Sequence, residues 1–250
     1  MNEPAPSAGV TQDAFLDGAV TIIQPTEGYR AGMDAVLLAA SLEAAPGARL
    51  LEAGTGAGAA LLCAAYRLPE ARFVGLERDA RMAELARRSA KYSKLEGRAE
   101  IWSGDIGHRS AELENVFDQS FANPPYFDRE AVKPPSPGRE DAYLADAPLD
   151  AWIKFLLHTT KPKGRITLIH RAHALADILA FLHTRAGEIE VLPIFTSPGK
   201  AAKRVLIRAR KGLRKGDVVL YQGVNLYQAP GGMVSERTEA VLRGGPLDWR

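Results

Sequence analysis

The sequence predicts an α/β protein in which a mostly parallel, seven-stranded sheet carries helices on both faces. From Arg49 onward, short apolar runs alternate with helical segments of roughly 10 to 15 residues, the pattern of parallel strands joined by crossover helices. The first of these runs also ends in a glycine-rich loop that opens an Ala-rich helix, which places a ligand at the carboxyl ends of the strands. The chain of 250 residues is long for one domain and short for two. One enlarged domain over 14–250 is therefore expected, and nothing in the sequence resembles an interdomain linker.

In chain order, residues 1–13, with Pro4 and Pro6 among small side chains, read as a flexible tail. An extension over 14–48 follows. Alternation over 14–23 fits a short hairpin, and Ala and Leu over 33–43 form a helix that stops before Pro46-Gly47. Strands are expected over 49–53, 71–77, 99–103, 117–122 and 164–170, with helices over 57–67, 81–95 and 149–160. The runs 189–195 and 203–209 flank the turn signal Ser197-Pro198-Gly199 and read as an antiparallel pair added at the sheet edge. A strand over 217–222 and a helix over 236–243 close the chain. Residues 128–148, rich in proline and charge, are expected to form an active-site loop.

Composition narrows the class. A hydrophobic fraction of 46% with 25% charged residues excludes a mainly disordered, collagenous or coiled-coil chain. The lone Cys63 excludes a disulfide framework and any Cys-rich zinc site and reads as a small buried residue, while His170 and His173 lack the companions a metal site needs. The uncharged stretch 53–66 is too short and too rich in Gly and Ala to span a bilayer. Glu3, Asp13 and Asp17 without any Lys or Arg in the first twenty residues are the reverse of a leader, so a cytoplasmic protein is expected. The net charge of +2 conceals an asymmetry: residues 151–250 hold 17 Lys and Arg against 7 Asp and Glu, and residues 1–150 hold 15 against 23. A basic half suggests an anionic partner.

The glycine loop reads Glu52-Ala53-Gly54-Thr55-Gly56-Ala57-Gly58. Glycines here let the main chain turn sharply and approach a ligand, beside the free N–H groups of a helix start. The spacing is not that of the dinucleotide fingerprint G-x-G-x-x-G, and Glu52 precedes it. A buried acid is unfavourable beside a pyrophosphate and favourable beside a cation. S-adenosylmethionine, with its sulfonium and ammonium, meets that requirement. Glu77 ends the second strand, where a carboxylate can accept both ribose hydroxyls, with Arg78 after it. Asp105 and Ile106 follow the third strand, where the adenine of such a cofactor would lie.

The fourth strand delivers Asn123-Pro124-Pro125-Tyr126-Phe127 to the same edge. Two prolines make a stiff turn with carbonyls in fixed directions. An exocyclic amine is a poor nucleophile because its lone pair is conjugated. Acceptors at Asn123 and the Pro124 carbonyl would take its two N–H groups and favour a pyramidal nitrogen, so that rate comes from alignment. Tyr126 offers a face for stacking a base, and Phe127 a second wall or a core contact.

Together, the Glu-x-Gly-x-Gly-x-Gly loop at 52–58 and Asn-Pro-Pro-Tyr at 123–126 resemble the amino-methylating class I S-adenosylmethionine-dependent methyltransferases, which implies a Rossmann-like fold. That group includes adenine-N6 methyltransferases of nucleic acids and glutamine-N5 methyltransferases of release factors. The segment from Gln24-Pro25 through Gly28-Tyr29-Arg30-Ala31-Gly32-Met33-Asp34 to Ala39 is similar to the entry segment of bacterial tRNA1(Val) adenine-37 N6-methyltransferases. Met33 stands where such sequences often carry Thr. By this resemblance Arg30 and Asp34 lie near the cofactor's methionine end or the substrate entrance. Fewer than fifty residues precede the glycine strand, which weighs against a glutamine-N5 enzyme with its N-terminal helical substrate domain. Residues 199–215 hold eight Lys and Arg and no acid, among them Lys200, Lys203 and Arg204. Beside a base-sized pocket such a run would grip a phosphate backbone. The expected substrate is adenine N6 in tRNA or another structured RNA, with no metal and no membrane partner. The non-enzymatic alternative is a scaffold that binds the cofactor without chemistry.

Overall fold

The computed structural model describes residues 9–125, 147–213 and 217–250. The chain opens with a hairpin, β1 (Val10–Phe15) and β2 (Val20–Pro25), and helix α1 (Met33–Ala40). The alternating region comprises β3 (Arg49–Ala53), α2 (Ala59–Arg67), β4 (Arg72–Glu77), α3 (Ala80–Tyr92), β5 (Ala99–Ser103) and β6 (Phe117–Ala122). After the 126–146 segment come α4 (Leu149–Thr159), β7 (Thr160–Arg171), α5 (Leu175–His183), β8 (Ala186–Phe195) and β9 (Ala202–Lys211). Two short strands, β10 (Val219–Leu220) and β11 (Val224–Asn225), and α6 (Glu236–Leu242) complete it.

The main sheet has the order β10-β8-β9-β7-β6-β3-β4-β5, with β11 also on β8. Strands β3 to β7 are parallel to their neighbours among themselves, and β9 runs antiparallel between β7 and β8. The seven longer strands form the expected sheet, and β8 with β9 forms the expected antiparallel pair at its edge. Period-two alternation explains the two helical layers. Leu50, Phe73, Phe121, Ile169 and Leu206 face a core shared with the hairpin, α1, α2 and α3. Leu51, Val74, Ala122, Leu168 and Ile207 face the opposite core with α4 and α5.

Several boundaries differ from the sequence reading, and one helix is added. The hairpin begins at Val10, not near residue 14, because Val10 to Asp13 already pair with Pro25 to Ile22, so the expected tail over 1–13 is strand from Val10. The run 217–222 is reduced to the two paired residues of β10. Helix α1 stops at Ala40. Helix α5 is additional: Leu175, Ile178 and Leu182 give it one apolar stripe, with Ile178 and Leu182 fully buried.

The hairpin is fixed to α3 by two serines, Ser89 Oγ accepting from Ile23 N at 2.8 Å and Ser93 Oγ from Thr21 N at 3.0 Å. The end of α1 is held by the far end of the chain: Leu247 N donates to Ala40 O at 2.8 Å, and Trp249 Nε1 to Ser41 O at 3.1 Å.

Candidate active site

Strand β3 lies between β4 and β6, so the chain leaves it in opposite directions and opens a crevice at the carboxyl ends of β3 and β6. A cleft of about 650 Å³ occupies that crevice, lined among others by Tyr29, Gly54, Gly56, Glu77, Arg78, Asp105, Ile106, Asn123, Pro124 and Pro125. The volume suits a nucleoside-sized ligand. Tyr29, Gly54, Gly56, Met82 and Asn123 also wall a small inner cavity of about 40 Å³ that reaches Glu52 and Thr55. Most of the sequence-expected cofactor residues thus meet in one place.

The glycine loop has the backbone its composition foretold. Gly54 has φ +65°, and a Cβ on it would lie 2.4 Å from Cη2 of Trp152, so the α4 indole can close one wall only over a glycine. Gly58, with φ +90°, precedes α2 directly. Beneath the loop, Glu52 is buried and accepts from Thr55 Oγ1 at 2.6 Å. Burial pushes its carboxyl from 4.5 up to about 8; the Thr55 hydroxyl works the other way, and the charge of Glu77 adds to the rise.

Glu77 ties two loops together. Its Oε2 accepts from Gly56 N at 2.8 Å and its Oε1 from Asp79 N at 2.9 Å. Each oxygen keeps a second lone pair, so the carboxylate is oriented and still able to accept from a ligand diol. Asp79, by contrast, is spent on capping α3, accepting from Arg81 N and Met82 N. Asp105 Oδ1 accepts from Gly107 N at 2.7 Å, which fixes the turn that brings Asp105 and Ile106 to the cleft. A cradle shaped by Gly54, oriented carboxylates and an inner acid fit a nucleoside cofactor that carries positive charge.

At the end of β6, Pro124 is buried and Pro125 exposed, and Asn123 Nδ2 donates to the Tyr29 hydroxyl at 3.1 Å. Tyr126, Phe127 and 128–146 of the expected active-site loop lie outside the described residues. Trp152, Tyr29, Met82 and Arg171 line the cleft without having been expected there. Tyr29 was within reach of sequence reasoning as the aromatic in the Gly28-Tyr29-Arg30 segment.

Arg30 and Asp34 do not line this cleft. Arg30 donates to Thr11 Oγ1 and the Pro25 carbonyl and pairs with Asp13 at 2.7 Å, which locks the hairpin base. Asp34 pairs with Arg204 at 2.8 Å, joining α1 to β9. The basic run over 199–215 is likewise divided. Because β9 is antiparallel to β7, Arg204 sits opposite Arg171 at the cleft edge, while Arg210 sits opposite Arg165 at the other end. Lys200 and Lys203 are exposed at the cleft end. Arg208 is buried against Glu190, Glu43 and the Trp249 ring, Arg210 pairs with Glu188, and Lys211 donates to Asn115 and the Thr160 carbonyl. Arg214 and Lys215 lie outside the described residues. Nearby, burial lowers His170 to about 4, leaving it neutral at pH 7. Cys63 is buried, and burial pushes its thiol up to about 12, so it is inert.

No family profile matches the chain. Among curated relatives, the tRNA1(Val) (adenine(37)-N6)-methyltransferase of Porphyromonas gingivalis is 33% identical over 202 residues, covering 78% of this chain and 79% of the relative. The Pasteurella multocida enzyme of the same name is 27% identical over 203 residues, covering 79% and 84%. Among solved structures, a predicted O-methyltransferase of Agrobacterium tumefaciens is 26% identical with a TM-score of 0.72, covering 86% of this chain and 98% of that one. TYW2 of P. horikoshii, solved with MeSAdo, shares the fold at a TM-score of 0.55 and 14% identity, covering 82% and 72%. The fold is that of class I methyltransferases, the cofactor is S-adenosylmethionine, and at this level of identity over this share of both sequences the chain belongs to the tRNA1(Val) (adenine(37)-N6)-methyltransferase family.

Proposed function

We propose that this protein methylates N6 of an adenine in tRNA, at a position-37 type of site, in the cytoplasm. The observation that carries the reading is the meeting of Asn123-Pro124-Pro125 with the glycine loop at one switch point of the sheet. Bound there, the cofactor supplies an electrophilic methyl group on a sulfonium. Glu52 faces its cationic end, Glu77 accepts from its ribose, and Asp105 and Ile106 flank its adenine, with Thr55, Gly58 and Arg78 completing the cradle.

Asn123 Oδ1 and the Pro124 carbonyl would accept the two N–H groups of the target amine and leave its nitrogen lone pair free to be methylated, the surplus N–H proton passing to solvent. The stiffness of the turn supplies the alignment, a contribution of several kcal/mol at best, about 7 or more. By residue type, Tyr126 is proposed to stack on the base, with Phe127 a second wall or a core contact. A base in an anticodon loop is open or easily flipped, which suits a cleft of this size. Lys200 and Lys203, with the Arg171–Arg204 edge, receive the phosphates. Glutamine-N5 methylation and a non-catalytic scaffold have no observation in their favour.

The test uses purified protein, methyl-labelled cofactor and tRNA transcripts that differ only in having adenine or guanine at position 37. Label in the adenine transcript as N6-methyladenosine is expected. Label in a release factor with none in tRNA overturns the substrate, and wild-type turnover by Asn123→Ala overturns the chemistry.

A further inference from the structure

Oriented acceptance by Asn123 requires that its amide oxygen, not its NH2, face the target. A side-chain amide has nearly the same shape in its two flipped orientations, and only its partners choose between them. One such partner is the Tyr29 hydroxyl, 3.1 Å from Nδ2, and Tyr29 lines the same cleft from the 26–32 segment. We infer that Tyr29 is a positioning residue for methyl transfer, its hydroxyl oxygen holding the Asn123 NH2 so that Oδ1 faces the amine.

A phenol can donate as well as accept, so its own proton must be directed elsewhere. Enclosure by the surrounding protein, together with the carboxyls of Asp34 and Glu52, disfavours the phenolate and raises the Tyr29 hydroxyl above its ordinary range, though much of the ring is exposed. The Asn123 amide, donating to that oxygen, acts in the opposite sense together with Arg204, as it should where the hydroxyl accepts from Asn123. The segment that carries Tyr29 is itself held at both ends: Thr26 N donates to the Gly9 carbonyl at 3.1 Å, Arg30 is clamped by Asp13 and the Pro25 carbonyl, and Ala31 N donates to Gln24 Oε1 at 2.7 Å. Arg30 thereby serves the site from a distance, by fixing the residue before it.

The inference rests on the reading of Asn123 given above, and the experiment separates the two. Tyr29→Phe keeps the ring and removes the hydroxyl. Its kcat is expected to fall about 3- to 10-fold, the worth of one hydrogen bond, with KM for the cofactor unchanged. Asn123→Asp presents two equivalent oxygens and needs no orienting, so adding Tyr29→Phe to it should cost nothing further. An undiminished kcat in Tyr29→Phe, or an equal loss in the Asn123→Asp background, overturns the inference. Should Asn123→Asp turn over too slowly to compare, the Asn123 side-chain NH2 resonances decide: positions unchanged by Tyr29→Phe overturn it, and a shift with lost exchange protection supports it. Full activity in Asn123→Ala would instead remove the underlying chemistry.

Discussion

Cofactor binding is expected to expel a proton from Glu52. In the free protein, burial pushes this carboxyl up to about 8, so at pH 7 it is protonated in roughly nine molecules of ten. A sulfonium and an ammonium entering the cleft favour the ionised form, and binding at pH 7 should release about 0.9 proton from this group. The cofactor's own amino group titrates in the same region, so the quantity to read is the difference between wild type and Glu52→Gln. Calorimetric titration with S-adenosylmethionine in buffers of different ionisation enthalpy measures it. Wild type should release close to one proton more than Glu52→Gln at pH 7, and its affinity relative to the variant should rise about tenfold per pH unit up to about pH 8 and then level. Equal proton release in the two proteins would refute the reasoning. The free protein's stability supplies a second reading. The folded carboxyl keeps its proton up to about pH 8 while the unfolded one loses it near 4.5, so this contribution is complete below pH 4.5 and is lost as pH rises to 8. At most it is on the order of 5 kcal/mol, and Glu52→Gln should flatten the decline.

Gly54→Ala puts a Cβ 2.4 Å from the Trp152 ring at φ +65°, so thermal unfolding should move down by an amount equivalent to about 1 to 3 kcal/mol and cofactor affinity should drop with it. Lys203→Ala should lower the slope of log affinity for tRNA against log salt by about 1, whereas Lys211→Ala, at the far end of β9 and bonded to Asn115, should leave it unchanged. Arg208→Ala leaves Glu190 without its buried ion partner and removes the guanidinium from Trp249, while Glu43 stays exposed and paired with Arg165. Urea unfolding should report a loss of about 3 kcal/mol.

The cofactor cradle was legible in the sequence because its chemistry is local: an acid, three glycines and a helix start within seven residues define Glu52 to Gly58 wherever the rest of the chain goes. Asn123 and Pro124 were legible for the same reason. Trp152 and Arg171 were not, because each reaches the cleft from a different element and nothing near it in sequence announces the meeting. The basic run shows the converse limit. Linear charge density does not say which end of an antiparallel strand a residue occupies, and β9 carries Lys203 to the cleft and Lys211 away from it. Arg30 and Asp34 have the residue types of a ligand site, but partners 17 and 170 positions away absorb them. The strand foreseen over 217–222 shrank to Val219 and Leu220, which lie in register with Glu190 and Val191 of β8, with one further bond from Tyr221 N to the Val191 carbonyl.

The bonds from Leu247 and Trp249 to the end of α1 have a consequence for the order of events during synthesis. Helix α1 leaves the ribosome early, yet the carbonyls of Ala40 and Ser41 at its end wait for donors more than 200 positions later in the chain. The helix is therefore made early and its end is closed late. A nascent chain can complete its central strands while the end of α1 is still open to water.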